Sequence, residues 1–282
     1  RQMCIRDRSK GNIYYRWHHP EQKNGQTIVM VHGFSTPSFV WNGLLEGLLN
    51  KGYSILVYDH YGRGFSERPR TKYSLDFYDE TLKELISHQN IEGKIHLVGY
   101  SMGGPIIGGF ADKYSAQVKS LSFIAPAGFG KVQTSIPFFM KIPGVIEWAM
   151  HVLADRFYGS AISSETSHSN DPLSINEEEF QQLFSFQMQF KGFRESLAST
   201  MRNFNLFDAR EMFEKVAAKN IPSIAIWGDN DGIVSYKGAE TYSEIFHEGK
   251  VITIEDGTHD ITYRQPSDVL EAIKIFLASQ IS

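Results

Sequence analysis

Ser101 is the residue whose surroundings most clearly indicate chemistry. It lies in the run Gly99-Tyr-Ser-Met-Gly103, which follows a short apolar segment typical of a strand and begins a helical pattern. A sharp turn from strand to helix needs glycine on either side of the nucleophile, because side chains would collide there. The turn exposes the serine hydroxyl beside a helix N-terminus, which favours developing negative charge. We therefore predict that Ser101 is a nucleophile; the alternative is a tight turn with a passive serine.

A nucleophilic serine needs a general base, and the ten histidines of the chain differ in how well they are placed for that role. His259 follows the last predicted strand, in the run Asp256-Gly-Thr-His-Asp260, on a loop that returns to the carboxyl edge of the sheet. His32 precedes Gly33 at a strand end, which suits a residue that shapes a loop. We predict that His259 is the base; the alternative is a solvated loop histidine.

The base in turn needs an acid that orients it. The run Gly228-Asp-Asn-Asp-Gly232 follows a predicted strand and offers two carboxylates. Asp231 lies deeper in this loop, from which it could reach His259, whereas Asp229 is expected to stabilise the turn. We therefore predict that Ser101, His259 and Asp231 act as a catalytic triad.

These residues must be positioned by an alternation of strands and helices. Short apolar runs predict seven strands, at 12–18, 27–31, 54–58, 95–98, 121–125, 223–227 and 251–254. Helical spacing predicts five helices between them, at 40–49, 75–89, 102–114, 238–246 and 267–278. Continuous apolar strands suit a parallel sheet covered on both faces, and the alternation implies right-handed crossovers. The predicted fold class is α/β, with a mostly parallel central sheet and helices on both faces.

Residues 129–217 interrupt this alternation, since they show helical patterns and no convincing strand. This 89-residue stretch contains 12 of the 20 phenylalanines and 5 of the 8 methionines of the chain. The run Ser174-Ile-Asn-Glu177 has the form of a capping box at the start of a helix. We predict a helical cap, or lid, inserted into a core formed by residues 11–128 and 218–282. Such an insertion would lie over the carboxyl ends of the strands, where ligands bind in α/β sheets.

The composition excludes several classes of protein. The 282 residues suit one large domain with an insertion, and 41% apolar with 21% charged residues excludes a collagen, a coiled coil and a disordered chain. The net charge of −4 comes without a lysine or arginine cluster, so nucleic-acid binding is not expected. Without a run of eighteen apolar residues, no transmembrane segment is expected. The single cysteine, Cys4, excludes an intrachain disulfide.

The chain carries no sign of a cofactor or a targeting signal. It has no His-Glu-x-x-His motif, no cysteine cluster and no dinucleotide fingerprint after a strand, so we expect neither metal nor cofactor. Residues 1–10 show no signal-peptide pattern and are predicted to be a non-native or disordered leader. We expect a cytoplasmic location, and both a monomer and a dimer are plausible.

Five runs in the chain are similar to motifs of the α/β-hydrolase superfamily, over essentially the whole length from Gly11 to Ser282. These are His32-Gly-Phe34, Asp59-His-Tyr-Gly-Arg-Gly-Phe-Ser66, Gly99-Tyr-Ser-Met-Gly-Gly104, Trp227-Gly-Asp-Asn-Asp231 and Gly257-Thr-His259. The resemblance implies an α/β-hydrolase fold with a helical cap over the site. It also implies an oxyanion hole formed by the backbone N–H groups of Phe34 and Met102. The segment Gly62-Arg-Gly-Phe-Ser66 is expected to shape a turn; it lacks the lysine and the spacing of a phosphate-binding loop.

Within that superfamily the chain most resembles monoacylglycerol lipase-like and carboxylesterase-like serine esterases. Ser101 excludes haloalkane dehalogenases and epoxide hydrolases, which place aspartate at the elbow, and Met102 is unlike the tryptophan of proline iminopeptidases. The resemblance implies that a small-molecule ester with an apolar acyl or aromatic group is hydrolysed through an acyl-enzyme. One alternative is a carbon–carbon bond hydrolase of vinylogous 1,5-diketones, although these typically have asparagine in place of Tyr100. The other is a ligand-binding protein without catalysis.

Overall fold

A mixed eight-stranded sheet is the framework of the fold. The computed structural model describes residues 2–8, 10–130 and 170–280. The strands are β1 Gln2–Arg8, β2 Gly11–His18, β3 Thr27–Val31, β4 Ser54–Tyr58, β5 Ile95–Tyr100, β6 Val118–Ile124, β7 Ser223–Gly228 and β8 Lys250–Ile254. Their order in the sheet is β1-β2-β4-β3-β5-β6-β7-β8. β1 pairs antiparallel with β2 and β2 with β4, and every other pairing is parallel, so the mostly parallel α/β sheet is confirmed.

Helices follow most of the strands. In the described residues they are α1 Asn42–Leu49, α2 Leu75–His88, α3 Gly103–Tyr114, α4 Glu177–Met188, α5 Phe193–Asn203, α6 Arg210–Ala217, α7 Gly238–Ile245, α8 Ile261–Arg264 and α9 Pro266–Ala278. Short 3₁₀ turns at Ser38–Trp41 and Ser115–Gln117 precede α1 and follow α3. Of these described helices, none is both long and apolar enough to cross a membrane.

The predicted elements agree with the structure to within a few residues, with two informative differences. The predicted helix at 40–49 divides into the 3₁₀ turn Ser38–Trp41 and α1. β1 was not expected, because residues 1–10 have no strand pattern; in the structure this segment pairs antiparallel with β2, with Gln2 opposite Trp17 and Arg8 opposite Gly11. Backbone pairing of this kind needs only a neighbouring edge, which a local pattern does not reveal.

Alternate residues of the central strands enter two separate hydrophobic clusters, which shows that helices cover both faces of the sheet. In β3, Val29 and Val31 belong to a cluster that also contains residues of α2 and α3. Ile28 and Met30 of the same strand belong to a second cluster, with residues of α1 and α9. All four side chains are fully buried. Successive side chains of a strand point to opposite faces, so burial on both faces requires the continuous apolar runs seen in the sequence.

Between β6 and β7, the described residues of the inserted segment form α4, α5 and α6, while residues 131–169 of the predicted cap lie outside the described residues. The predicted capping box Ser174–Glu177 is wrong, because Glu177 is the first residue of the helix and not the third. Asn176, not Ser174, is the N-cap of α4, and its side-chain oxygen accepts a hydrogen bond from the N–H of Glu179 at 2.9 Å. Asparagine is as good an N-cap as serine, and it lies directly before the first helical residue. The extent of the cap, 129–217, stays a prediction.

Asp79 places a carboxylate inside the packing of α2 against α3. Its side chain is 1% exposed, and Lys113 contacts it at 3.0 Å while also contacting the exposed Asp76 at 2.7 Å. One carboxylate oxygen of Asp79 has no hydrogen-bond partner among the described residues. Burial raises the pKa of Asp79 to about 7; Lys113 opposes this shift, while Asp76 and Asp112 add to it. The folded protein therefore binds a proton here that the unfolded chain releases near pH 4.

We predict that Asp79→Asn becomes more favourable for stability as the pH rises. Because the folded-state pKa is raised, the stabilising contribution of Asp79 is complete below about pH 4 and is lost as the pH rises through about 7. Asparagine does not titrate, so the unfolding free energy of Asp79→Asn minus that of the wild type should increase between pH 4 and pH 8. Urea denaturation across this range measures it. Asp76→Asn is the matched control, since it removes an exposed carboxylate from the same lysine; a flat difference for Asp79→Asn would contradict the prediction.

Candidate active site

Ser101 lies in a tight turn that requires glycine two residues before it and two residues after it. Its backbone is left-handed, with φ +52°, which is uncommon for any residue other than glycine. A Cβ on Gly99 would lie 2.5 Å from the carbonyl oxygen of Gly103, and a Cβ on Gly103 would lie 2.0 Å from that of Val31. The N–H of Ser101 donates to the carbonyl of Ile124 at 2.9 Å. The two predicted glycine positions are therefore required sterically.

The structure brings together the three side chains that the sequence predicts as a triad. Ser101 Oγ lies 2.9 Å from His259 Nε2, and His259 Nδ1 lies 2.8 Å from Asp231 Oδ2. Each of the three residues is 7–8% exposed. Because an ionised carboxylate only accepts hydrogen bonds, Nδ1 of His259 carries the proton and Nε2 is free to accept one from the serine hydroxyl. This arrangement can remove the proton from Ser101 as the hydroxyl attacks an electrophile.

Of the two aspartates in the loop after β7, Asp231 and not Asp229 stabilises the turn. Asp231 accepts hydrogen bonds on Oδ1 from the N–H groups of Ile233 and Val234, at 2.9 and 2.7 Å, so it stabilises the turn as well as orienting His259. Asp229 is exposed, and within the described part of the chain only its backbone N–H forms a hydrogen bond, to the carbonyl of Ile254. The expectation that Asp229 stabilises the turn is therefore wrong: the buried aspartate does both jobs.

Close backbone packing sets the distance between the loops that carry Asp231 and His259. A Cβ on Gly228 would lie 2.1 Å from the carbonyl oxygen of Gly257, and the N–H of Asn230 donates to that same carbonyl at 2.9 Å. The ring of Tyr100 packs against the imidazole of His259, with centroids 5.3 Å apart. Gly228 at the end of β7 and Gly257 in the loop after β8 therefore allow Asp231 to reach His259.

The two predicted oxyanion donors, Phe34 and Met102, come from two different loops. Met102 directly precedes α3, and its side chain is fully buried in the core. Phe34 follows β3, and its ring is half-buried. Within the described residues, neither backbone N–H donates a hydrogen bond, so both are available to a ligand oxygen. Among the described residues, no group of three His, Cys, Asp or Glu side chains is arranged to bind a metal.

Two neutral histidines support the loop that carries Phe34. The N–H of His60 donates to Nε2 of His32 at 2.8 Å, so the proton of His32 is on Nδ1 and faces the Gly33 carbonyl at 3.0 Å. In return, Nε2 of His60 donates to the carbonyl of His32 at 3.0 Å. Burial, the neighbouring His60 and Arg63 lower the pKa of His32 well below its ordinary value, and burial lowers the pKa of His60 to about 3. Both rings are therefore uncharged at neutral pH.

The sequence predicted that Gly62–Ser66 shapes a turn; in the structure the whole run Asp59–Ser66 also supports neighbouring loops. Asp59 is buried, and its carboxylate accepts hydrogen bonds from the N–H groups of Ser38 and Phe65, both at 2.9 Å. Arg63 donates to the carbonyl of Phe34. Sequence reasoning missed these roles, and also that of Gln187 on α4, because their partners are up to 152 residues away in the chain.

We predict that Ser101→Gly is more stable than Ser101→Ala by about 1 kcal/mol. Both variants lose the hydroxyl, but only glycine adopts a φ of +52° without strain. Chemical denaturation of the two variants measures the difference. The same pair at Ser223 in β7, where the backbone is ordinary, should show the opposite order, with alanine the more stable. A Ser101→Ala variant that matches or exceeds Ser101→Gly in stability would contradict the prediction.

Comparison with known proteins agrees with the geometry. Over 270 residues the chain is 26% identical to Lipase 3 of Moraxella sp. (strain TA144), covering 89% of this chain and 77% of that protein. Over 268 residues it is 24% identical to the monoacylglycerol lipase ABHD6 of Mus musculus, covering 90% and 76%. Among solved structures, a bromoperoxidase from Bacillus anthracis matches with a TM-score of 0.80 and 21% identity, over 98% of this chain and 100% of that one.

The likeness to the solved structure establishes the α/β-hydrolase fold, and a family match places the chain more narrowly. The family described as serine aminopeptidase, S33 (Hydrolase_4), matches residues 22–265. That range includes Phe34, Ser101, Asp231 and His259. The chain therefore belongs to this family, as an esterase- and lipase-like enzyme with the α/β-hydrolase fold.

Proposed function

We propose that this protein hydrolyses carboxylic esters that carry an apolar acyl or aromatic group, through an acyl-enzyme on Ser101. The observation that carries the proposal is the buried chain of hydrogen bonds from Ser101 Oγ through His259 to Asp231, at 2.9 and 2.8 Å. Its support from relatives is that lipases of two organisms align over most of the chain.

In the first half of the reaction, His259 Nε2 takes the proton of Ser101 as Oγ attacks the ester carbonyl carbon. The carbonyl oxygen becomes an oxyanion, which accepts hydrogen bonds from the N–H groups of Phe34 and Met102. The protonated imidazole then donates its proton to the departing alkoxide, which leaves as the alcohol. Asp231 keeps the imidazole in the productive tautomer and stabilises its positive charge.

In the second half, water takes the place of the alcohol. His259 removes a proton from this water as its oxygen attacks the acyl-enzyme carbonyl, and the same two amides bind the new oxyanion. The C–O bond to Ser101 breaks, and His259 returns the proton to Oγ. Within the protein, only Ser101 and His259 have to gain or lose a proton.

An apolar cluster on α5 supports the preference for apolar acyl groups. Phe193, Leu197 and Ala198 are buried together, and Phe34, Met188 and Met201 pack against them. Phe34 therefore contributes a backbone donor to the oxyanion and a ring to this cluster. An acyl group attached to the carbonyl at Phe34 would meet hydrocarbon and thioether surfaces, which adapt well to substrates of different shape. We take residues 129–217 to be a cap over the site for this reason.

We predict that Asp231→Asn impairs ester hydrolysis far more than Asp229→Asn. Loss of the carboxylate that orients His259 should lower kcat by roughly 10⁴, by analogy with serine proteases. Loss of the exposed Asp229 carboxylate should leave kcat within about twofold. The kcat of both variants is measured with p-nitrophenyl butyrate. The two variants are matched, because each replaces an aspartate by asparagine in the same loop.

Ser101→Ala is the reference for the same experiment. It should lower kcat by about 10⁴–10⁶ and abolish labelling by a fluorophosphonate, while the fold is kept. A wild type that binds esters without turnover or labelling would indicate a binding protein instead of an enzyme. Equal effects of the two aspartate variants would overturn the assigned acid.

We predict that kcat/KM rises with acyl length across p-nitrophenyl acetate, butyrate and octanoate, measured below their aggregation concentrations. Each methylene transferred from water to an apolar wall contributes about 0.8 kcal/mol, so a few carbons should raise kcat/KM roughly tenfold. Met201→Ala should reduce this preference, because Met201 packs against the cluster at Phe34. Ile275→Ala, which truncates an exposed side chain on α9, is the control and should not change it.

A profile that is highest at acetate and falls steadily would overturn the apolar preference. Negligible ester turnover together with cleavage of vinylogous 1,5-diketones would favour a carbon–carbon bond hydrolase over an esterase. Cleavage of aminoacyl amides in preference to esters would favour an aminopeptidase.

A further inference from the structure

Arg63 is a buried cation without a carboxylate partner in the described part of the chain. Its side chain is fully buried, and none of the ion pairs between described residues includes it. Its guanidinium instead donates to three neutral oxygens: the carbonyl of Phe34, Ser196 Oγ at 2.8 Å and Thr200 Oγ1 at 3.2 Å. Removing a charge from water without an opposite charge nearby is costly, so a purely structural contact is a poor explanation for arginine at this position.

The three acceptors belong to two separate parts of the molecule, the loop after β3 and helix α5. Phe34 is in the loop that offers an oxyanion donor, and Ser196 and Thr200 lie one turn apart on α5. The planar guanidinium reaches both parts at once because its donors point in fixed, divergent directions. The guanidinium carbon also lies 5.4 Å from the centre of the Phe34 ring. Arg63 thus contacts Phe34 through both its backbone and its ring.

A second link between the same parts runs in parallel. Gln187 on α4 is fully buried; its amide nitrogen donates to the carbonyl of Ser35 at 2.7 Å, and its oxygen accepts from the N–H of Gly64 at 3.1 Å. Arg63 therefore links Phe34 to α5. Gln187 links Ser35 and the loop after β4 to α4. Both linking side chains, Arg63 and Gln187, are fully buried, and burial strengthens their hydrogen bonds because little water competes for them.

We propose that Arg63 is a positioning residue for the oxyanion hole, which it couples to the seating of α5 on the core. Its bond to the Phe34 carbonyl restrains the Phe34–Ser35 peptide. This peptide directly follows the Gly33–Phe34 peptide, whose N–H faces the oxyanion and whose carbonyl contacts His32. Its bonds to Ser196 and Thr200 make this geometry depend on α5. The role rests on the proposed function, because it assumes that the Phe34 amide stabilises an oxyanion.

The coupling has a consequence for substrates. α5 also carries the apolar cluster at Phe34, formed by Phe193, Leu197 and Ala198. An acyl group that packs against this cluster stabilises α5 on the core, and through Arg63 it stabilises the orientation of the Phe34 donor. Binding energy at the acyl group is thereby converted into a faster chemical step, not only into a lower KM.

The test compares two variants of Arg63. Arg63→Met keeps a side chain of similar volume but loses the positive charge and the N–H donors, whereas Arg63→Lys keeps the charge but loses the planar guanidinium. Active sites are first counted with a fluorophosphonate, so that unfolded protein does not affect kcat. We expect Arg63→Met to lower kcat per active site by about 10- to 100-fold with KM within about threefold, and Arg63→Lys to show an intermediate loss. The affinity for a trifluoromethyl ketone, which forms an oxyanion on Ser101, should fall by the same factor as kcat/KM.

Variants on α5 keep the proposal testable if Arg63→Met does not fold. Thr200→Val removes one acceptor from the guanidinium, together with the contact between Thr200 Oγ1 and the Tyr78 hydroxyl at 2.8 Å, and should lower kcat about three- to tenfold. Ser223→Ala is the matched control, since it removes a buried hydroxyl that bonds Tyr242 at 2.7 Å at the start of β7. It should lower the melting temperature and leave kcat within about twofold.

Two results would overturn the proposal. One is a kcat per active site within twofold of the wild type in every folded Arg63 variant and in Thr200→Val, which would make Arg63 a structural residue only. The other is a kcat loss without a matching loss of affinity for the trifluoromethyl ketone. Failure of the proposed function looks different: the wild type itself would then show no turnover or labelling that depends on Ser101, and the role of Arg63 would fall with it.

Discussion

The turn between β5 and α3 is the constraint on which the rest of the site depends. Ser101 has a left-handed backbone. Neither Gly99 nor Gly103 has room for a Cβ, because it would collide with the carbonyl oxygen of Gly103 or of Val31, respectively. This strain persists because the surrounding backbone fixes it: the Ser101 N–H is bound to Ile124, and its carbonyl accepts from Gly104 and Ala127. The turn sets the direction of the hydroxyl, and every other group of the site is placed relative to it.

The acid and base reach that hydroxyl because two parallel strands end side by side. β7 and β8 are neighbours in the sheet, so the loops after them begin at the same edge. The close approach of Gly228 and Gly257 lets these loops pack backbone to backbone, and it brings Asp231 and His259 within hydrogen-bond distance. Burial of all three triad residues strengthens each bond, because little water competes for the donors and acceptors.

The opposite wall of the site is organised by the run from Asp59 to Ser66. Its residues bind the Ser38 N–H, the ring Nε2 and the carbonyl of His32, and the carbonyl of Phe34, so one short loop supports the loop before α1 through four contacts. The histidines in this set are neutral at neutral pH, which leaves the Asp59 carboxylate and the Arg63 guanidinium as its ionic groups. A loop held this firmly can present a backbone donor without reorganising during the reaction.

The sequence by itself determined the α/β class, seven of the eight strands and the three side chains, Ser101, His259 and Asp231, that the structure joins by hydrogen bonds. These features are local or repeated: apolar runs give strands that are buried on both faces, and glycine on either side of Ser101 gives the elbow. Tertiary structure alone decided that Gln2–Arg8 pair with β2, that Asp231 and not Asp229 closes its own turn, and that Arg63 and Gln187 bind the loop at Phe34. Those contacts join residues far apart in the chain, and a polar residue acquires such a role only when folding buries it beside a particular partner.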